Sequence, residues 1–247
     1  MRIAISGTAN IGKTTLIEDF IKEWPNYTKN NYTYRSLLKN HSKSTDQETQ
    51  WMILNNMIDE LQKYSKDDHV IFDRCPLDNL IYSLWANGYK KVDDAFIQKC
   101  IPLVKESMRF LDIIFFLPVS KMSPIPIVDD GKRETDPEYI QEIDNIFKAI
   151  VQQYQCNLGS TPFFPADDSP GIIEIFGNRE QRIQLIKQYL NTNGDVFGSE
   201  HDTLFSEDNL KELKALLEEQ KDTHYSEQFK KEQIAMLNEL KKEISKS

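Results

Sequence analysis

Cysteine is scarce, with three residues in a chain of 247. Cys75, Cys100 and Cys156 show no C-x-x-C spacing and no clustered histidines, which excludes a disulfide framework and a zinc site and predicts three buried thiols. Positive charge is also short. Thirty Lys and Arg stand against 39 Asp and Glu, a formal net charge of −9, which argues against a broad basic face for nucleic acid but leaves room for a local basic groove. Long apolar runs are missing too. None approaches the roughly 20 residues needed to cross a bilayer, and the opening MRIAISG reads as a strand, not as a charged-then-apolar leader. No membrane partner is expected, and the cytoplasm is the expected location. The hydrophobic content of 39 % and the length suit one α/β domain plus an appendage.

What the chain does have is concentrated at its start. An apolar strand, Arg2 to Ser6, runs into a loop holding Gly7, Asn10, Ile11, Gly12, Lys13, Thr14 and Thr15, and a helix follows. This fits G-x-x-x-x-G-K-[ST], the P-loop, in the strand-to-helix context that the pattern requires. Its glycines let successive backbone N–H groups face a polyphosphate, Lys13 reaches the β/γ oxygens, and Thr14 offers its hydroxyl to Mg²⁺. The positive end of the helix dipole adds to the attraction.

Periodicity organises the rest. Leu16, Ile17, Phe20, Ile21 and Trp24 predict a helix stopped at Pro25, and a short second strand is expected around Thr33 to Arg35. A helix is expected over 47–64 and a strand over His69 to Asp73, whose terminal acid lands at the sheet edge where the P-loop opens, near the metal. Leu77 to Ala86 predicts a helix stopped by Asn87 and Gly88. Further helix over 93–109, a strand at Asp112 to Pro118, a helix from Pro137 to about Gln155 capped by Asp136, a strand at Gly171 to Gly177 and a helix at Arg179 to Leu190 follow. Five apolar strands alternating with helices predict a three-layer, doubly wound α/β fold with a parallel five-stranded sheet and the P-loop on a central strand. Residues 1–190 form this domain, 191–205 a linker, and 206–247 a C-terminal helical hairpin whose leucine- and methionine-bearing stripes need a cover, either the same body or a second subunit.

On these residues the first 190 positions resemble the P-loop nucleoside and nucleotide kinases, most of all the nicotinamide-riboside-kinase-like and the deoxynucleoside and thymidylate kinase-like branches. The resemblance rests on GTANIGKT (Gly7 to Thr14), DRCPLDNLIY (Asp73 to Tyr82), DGKRETD (Asp130 to Asp136) and GNREQR (Gly177 to Arg182). It implies an Asp73–Arg74 pair with the acid near the metal and the attacking hydroxyl and the arginine on the acceptor. It also implies acceptor contacts from Arg35, Asp78 and Tyr82, a lid arginine at Arg133 with Lys132 as the fallback, and adenine packing at Asn178 and Arg179. Phosphoryl transfer asks for such a set, because it depends on positioning and charge stabilisation.

The expected activity is that of an ATP- and Mg²⁺-dependent kinase acting on a nucleoside, nucleotide or related small metabolite. Two other readings stay open on the sequence: a kinase for hydroxymethyl-pyrimidine bases or ends in DNA, and a non-catalytic ATP-binding regulator. A homodimer through the C-terminal helices is the expected assembly.

Overall fold

The computed structural model describes residues 1–30, 46–120, 135–156 and 161–197. The chain divides into two compact units, Met1–Gln188 and Tyr189–Ser247.

In the first unit, strands β1 (Arg2–Ser6), β2 (Thr28–Lys29), β3 (Val70–Asp73), β4 (Ile113–Phe116) and β5 (Gly171–Glu174) form a parallel sheet in the order β2-β3-β1-β4-β5. The expected fold class and the central place of the P-loop strand are both observed. Ile3, Ala4 and Ile5 are fully buried, as a parallel strand covered by helices on both faces demands. Arg2 fixes the other end of β1. Its backbone N–H donates to Asp112 Oδ2 at 2.6 Å, and its guanidinium reaches Asp112 Oδ1 at 3.1 Å and the Arg109 carbonyl.

The edge strands are short. A strand lies at Thr28–Lys29, ahead of the stretch where the second strand is expected, and residues 33–35 themselves fall outside the described residues. It is a two-residue edge strand, held to β3 in the register Thr28↔Val70 and Lys29↔Ile71. Backbone pairing at an edge needs no apolar run, so the sequence carried no sign of it. At the opposite edge β5 stops at Glu174, and none of its four residues is buried.

Helix α1 (Lys13–Glu23) buries Leu16, Ile17 and Phe20. Helix α2 (Gln47–Leu61) starts at Asp46, whose side chain accepts from the Thr49 backbone N–H at 2.8 Å, satisfying a donor that a helix start leaves open. Helix α3 (Pro76–Gly88) stops at Gly88 as expected, with Tyr89 as its C-cap. The left-handed residue that follows is Lys90, with φ of 57°. Helices α4 (Asp94–Ser107), α5 (Pro137–Cys156) and α6 (Arg179–Ile186) complete the layers. Asp136 accepts from the Glu138 N–H at 2.9 Å at the start of α5, and α6 ends four residues before the expected Leu190. Cys75 and Cys100 are buried, whereas Cys156 is exposed at the end of α5, against expectation. No described helix is long and apolar enough to cross a membrane.

In the second unit, the residues read as the start of a linker form a turn. Asn191 Oδ1 accepts from the N–H groups of Asn193 and Asp195, and Leu190 bridges to Val196 in antiparallel fashion. The expected hairpin at 206–247 lies outside the described residues.

Candidate functional site

The register Ile5↔Asp73 and Ser6↔Phe116 lines up the ends of β1, β3 and β4, so everything leaving them emerges on one edge of the sheet. The loop leaving β1 is tightly specified. Gly7 has φ of +140°, and a Cβ there would lie 2.7 Å from the Leu117 carbonyl oxygen. Asn10 (φ 57°) and Gly12 (φ 82°) are left-handed, a conformation that glycine and asparagine adopt at least cost. Gly12 serves as the N-cap of α1 with no side-chain cap bond, which leaves the amides of the first turn for another acceptor. Lys13 is buried, and its Nζ donates to the Gly7 carbonyl at 2.8 Å and to the Thr8 carbonyl.

Asp73 closes β3 beside this loop. The exposed Thr14 hydroxyl donates to Asp73 Oδ2 at 3.4 Å. Arg74 follows with φ of 80°, a left-handed angle that costs a residue with a Cβ about 1–2 kcal/mol. Its guanidinium lies 5.0 Å from the centre of the Tyr82 ring and 3.8 Å from Asp78 Oδ1. Burial works against the charge on Arg74, but Tyr82, Asp78 and Asp73 outweigh it and raise its pKa. Beside Arg74 a cavity of about 10 Å³, lined in part by Asn30, Glu60, Phe72 and Cys75, has room for roughly one water. Asn30 Oδ1 is buried there with no hydrogen-bond partner among the described residues.

Asp78, expected at the acceptor pocket, is wholly buried under the P-loop. It accepts from Ser6 Oγ at 2.7 Å, the Gly7 N–H at 3.3 Å and the Cys75 N–H at 3.0 Å, tying the end of β1 to the start of α3. Burial and the neighbouring Asp78 carboxylate push the Cys75 thiol well above its usual range, so it stays protonated. Asn178, one of the two residues assigned to adenine, caps α6 and accepts from the Gln181 N–H at 3.0 Å. Arg179 pairs across to Asp19 on α1, holding that carboxyl below its ordinary value. Arg35, Lys132 and Arg133 lie outside the described residues.

Sequence reasoning missed Arg182. It lies one turn into α6 and is 6 % exposed. Its Nη1 donates to the Ile11 carbonyl at 2.8 Å and its Nε to the Gly177 carbonyl at 3.0 Å. The available signal was periodicity, since Arg182 and Ile186 are four apart and share the buried face.

A parallel sheet of this order, with a P-loop on its central strand and an acid ending the next strand beside the loop's threonine, defines a P-loop protein with the fold of the nucleoside and nucleotide kinases. An AAA domain family model matches residues 2–162, and the chain belongs to that family. Among solved structures, deoxyadenosine kinase from M. mycoides with the products dCMP and a flexible dCDP bound matches at a TM-score of 0.58 and 19 % identity, covering 76 % of this chain and 97 % of that one. NadR in complex with NR matches at a TM-score of 0.54 and 15 % identity, covering 76 % of this chain but 51 % of that one, so the chain spans about half of NadR. No curated protein matches the sequence.

Proposed function

We propose that the protein is a kinase that transfers the γ-phosphoryl group of ATP, with Mg²⁺, to a hydroxyl of a nucleoside, nucleotide or related small metabolite. The meeting of Thr14 Oγ1 and Asp73 Oδ2 at 3.4 Å, with the Arg74 cation next in the chain, carries this reading. Two hard oxygen donors with a single carboxylate fit Mg²⁺, which keeps several waters and takes its remaining ligands from substrate phosphates. No cluster of three or more His, Cys, Asp or Glu side chains suited to a tighter metal cage occurs among the described residues. When bound, the ion neutralises charge on the phosphate oxygens.

The chain's own residues do the rest. The α1 amides and Lys13 hold the polyphosphate, with Lys13 exchanging its two carbonyl acceptors for charged oxygens, which bond more strongly. Asp73 orients the acceptor hydroxyl and takes its proton as the oxygen–phosphorus bond forms and the bond to the leaving nucleoside diphosphate breaks. Arg74, held by Asp78 and Tyr82, steadies the acceptor, and the cavity beside it with the unpaired Asn30 Oδ1 supports placing the acceptor on that side. Asp78 serves by fixing Arg74 and the P-loop. Asn178 and Arg179 border the adenine, and Arg35 and Arg133 supply acceptor and lid contacts. Deoxyadenosine kinase and NadR, as their names and bound ligands describe them, support the nucleoside class of acceptor.

The test is a screen of nucleosides, nucleotides, nicotinamide riboside and hydroxymethylated DNA for γ-phosphate transfer, with Lys13→Ala beside the wild type. Transfer to a small acceptor, abolished in a folded Lys13→Ala, is expected. Undiminished transfer by that variant sinks the reading. Transfer to DNA alone moves the substrate to polymer, and ATP binding without transfer to any acceptor identifies a regulator.

A further inference from the structure

Among the described residues two buried arginines have no part in this reading, Arg2, which is paired with Asp112, and Arg182. Arg182 reaches from α6 to the underside of the P-loop and bonds only two carbonyl oxygens, those of Ile11 and Gly177. Among the described residues no carboxylate neutralises it. Burial pulls its pKa down from the ordinary arginine value, but a guanidinium stays charged at any physiological pH. An unneutralised cation in so little solvent is costly unless an anion comes to it. Less buried arginines do find acids: Arg179 pairs with Asp19, and Arg109 with Asp167 and Glu106.

The bond to Ile11 also sets a direction. In a planar trans peptide the carbonyl of one residue and the N–H of the next point to opposite sides. Holding the Ile11 carbonyl from beneath therefore aims the Gly12 N–H the other way, toward the mouth of the loop. The second bond makes the hold rigid, because Gly177 is itself fixed. Its φ is +95°, and a Cβ there would lie 2.7 Å from Gln181 Oε1. The forked guanidinium spans both carbonyls, which an ammonium cannot do with the same geometry.

We infer that Arg182 is a positioning residue for nucleotide binding: it holds the peptide between Ile11 and Gly12 with its N–H toward the phosphates and supplies, from beneath the P-loop, a positive charge that only a bound polyphosphate balances. The inference rests on the nucleotide-binding reading above and adds the part of the binding energy that reading leaves unassigned. A charge effect scales with the charge of the ligand, and this separates it from a merely structural role.

The experiment measures dissociation constants for ATP, ADP and AMP by calorimetry, and Tm without nucleotide, for the full chain as wild type, Arg182→Met and Arg182→Lys. Arg182→Met should bind ATP roughly 30-fold more weakly, with a smaller loss for ADP and the smallest for AMP, a graded pattern that a change in fold stability does not produce. Arg182→Lys should fall between, recovering charge but not the two-point hold. Equal losses for all three nucleotides, or wild-type ATP affinity in Arg182→Met, overturn the inference. If Arg182→Met does not fold, Arg182→Lys decides: wild-type ATP affinity there overturns the positioning role. A wild type that binds no nucleotide at all overturns the underlying reading, an outcome distinct from a wild type that binds and variants that match it.

Discussion

At the scale of single residues, the site depends on backbone angles as much as on side chains. Arg74 holds a left-handed φ of 80° while carrying the cation beside Asp73. Glycine releases that strain and alanine does not, so Arg74→Gly should unfold in urea at about 1 kcal/mol greater stability than Arg74→Ala. Both variants should lose phosphoryl transfer by roughly 100-fold, the usual cost of deleting a charge-stabilising donor. Equal stability of the two would show that the angle is not strained, and activity retained in either would remove Arg74 from the acceptor side. The acid role is separable: Asp73→Asn should slow the chemical step at saturating acceptor, whereas Arg74→Ala should also raise the acceptor KM. The sequence made Lys13, Thr14 and Asp73 legible because a strict pattern and an apolar strand ending in an acid fix their positions. It did not reveal that Asp78 is consumed by Ser6, Gly7 and Cys75, since a carboxylate four residues before a tyrosine looks the same whether it faces a pocket or the underside of a loop.

Among the elements, caps and edges mark where pattern reading stops. The central strands β1, β3 and β4 were readable because burial on both faces demands continuous apolar runs. The β2 strand was not, because an edge strand of two residues is held by backbone bonds that leave no trace in side-chain type. The Asp46 cap of α2 belongs with the features that can be tested directly. The Thr49 backbone N–H, followed by opposing burial and the Thr49 hydroxyl, holds the Asp46 carboxyl below its ordinary value of 3.8. Its contribution is therefore complete above that pH and is lost as pH falls through the lower folded value. Asp46→Ala should cost about 0.5–1 kcal/mol at neutral pH, toward the low end for a cap because the group is exposed. The gap from wild type should close as urea titrations are taken toward about pH 2–3. A gap independent of pH would mean that the loss is not that of the ionised cap.

For the whole molecule, the sequence-predicted hairpin at 206–247, outside the described residues, carries apolar stripes of Leu210, Leu213, Leu216 and Leu217 and of Phe229, Met236, Leu237, Leu240 and Ile244, and we propose that a second copy covers them. Apolar surface left in water costs about 25 cal/mol per Å², and paired amphipathic helices suit a four-helix contact between two copies. Light scattering should give twice the chain mass of 28.9 kDa for the full protein and a monomer after truncation following Asn193. A full-length monomer, or a dimer that survives truncation, rules the contact out. The sheet order has a consequence for how this chain is made. Of the five strands β1 is made first but lies between β3 and β4, so one of its edges waits for Val70 to Asp73 and the other for Ile113 to Phe116, which emerges roughly 5–20 s later at about 5–20 residues per second. An apolar strand in that condition is a template for wrong partners. The bond from Arg182 back to Ile11 spans 171 positions, so the P-loop is completed only after all five strands of the sheet have been made.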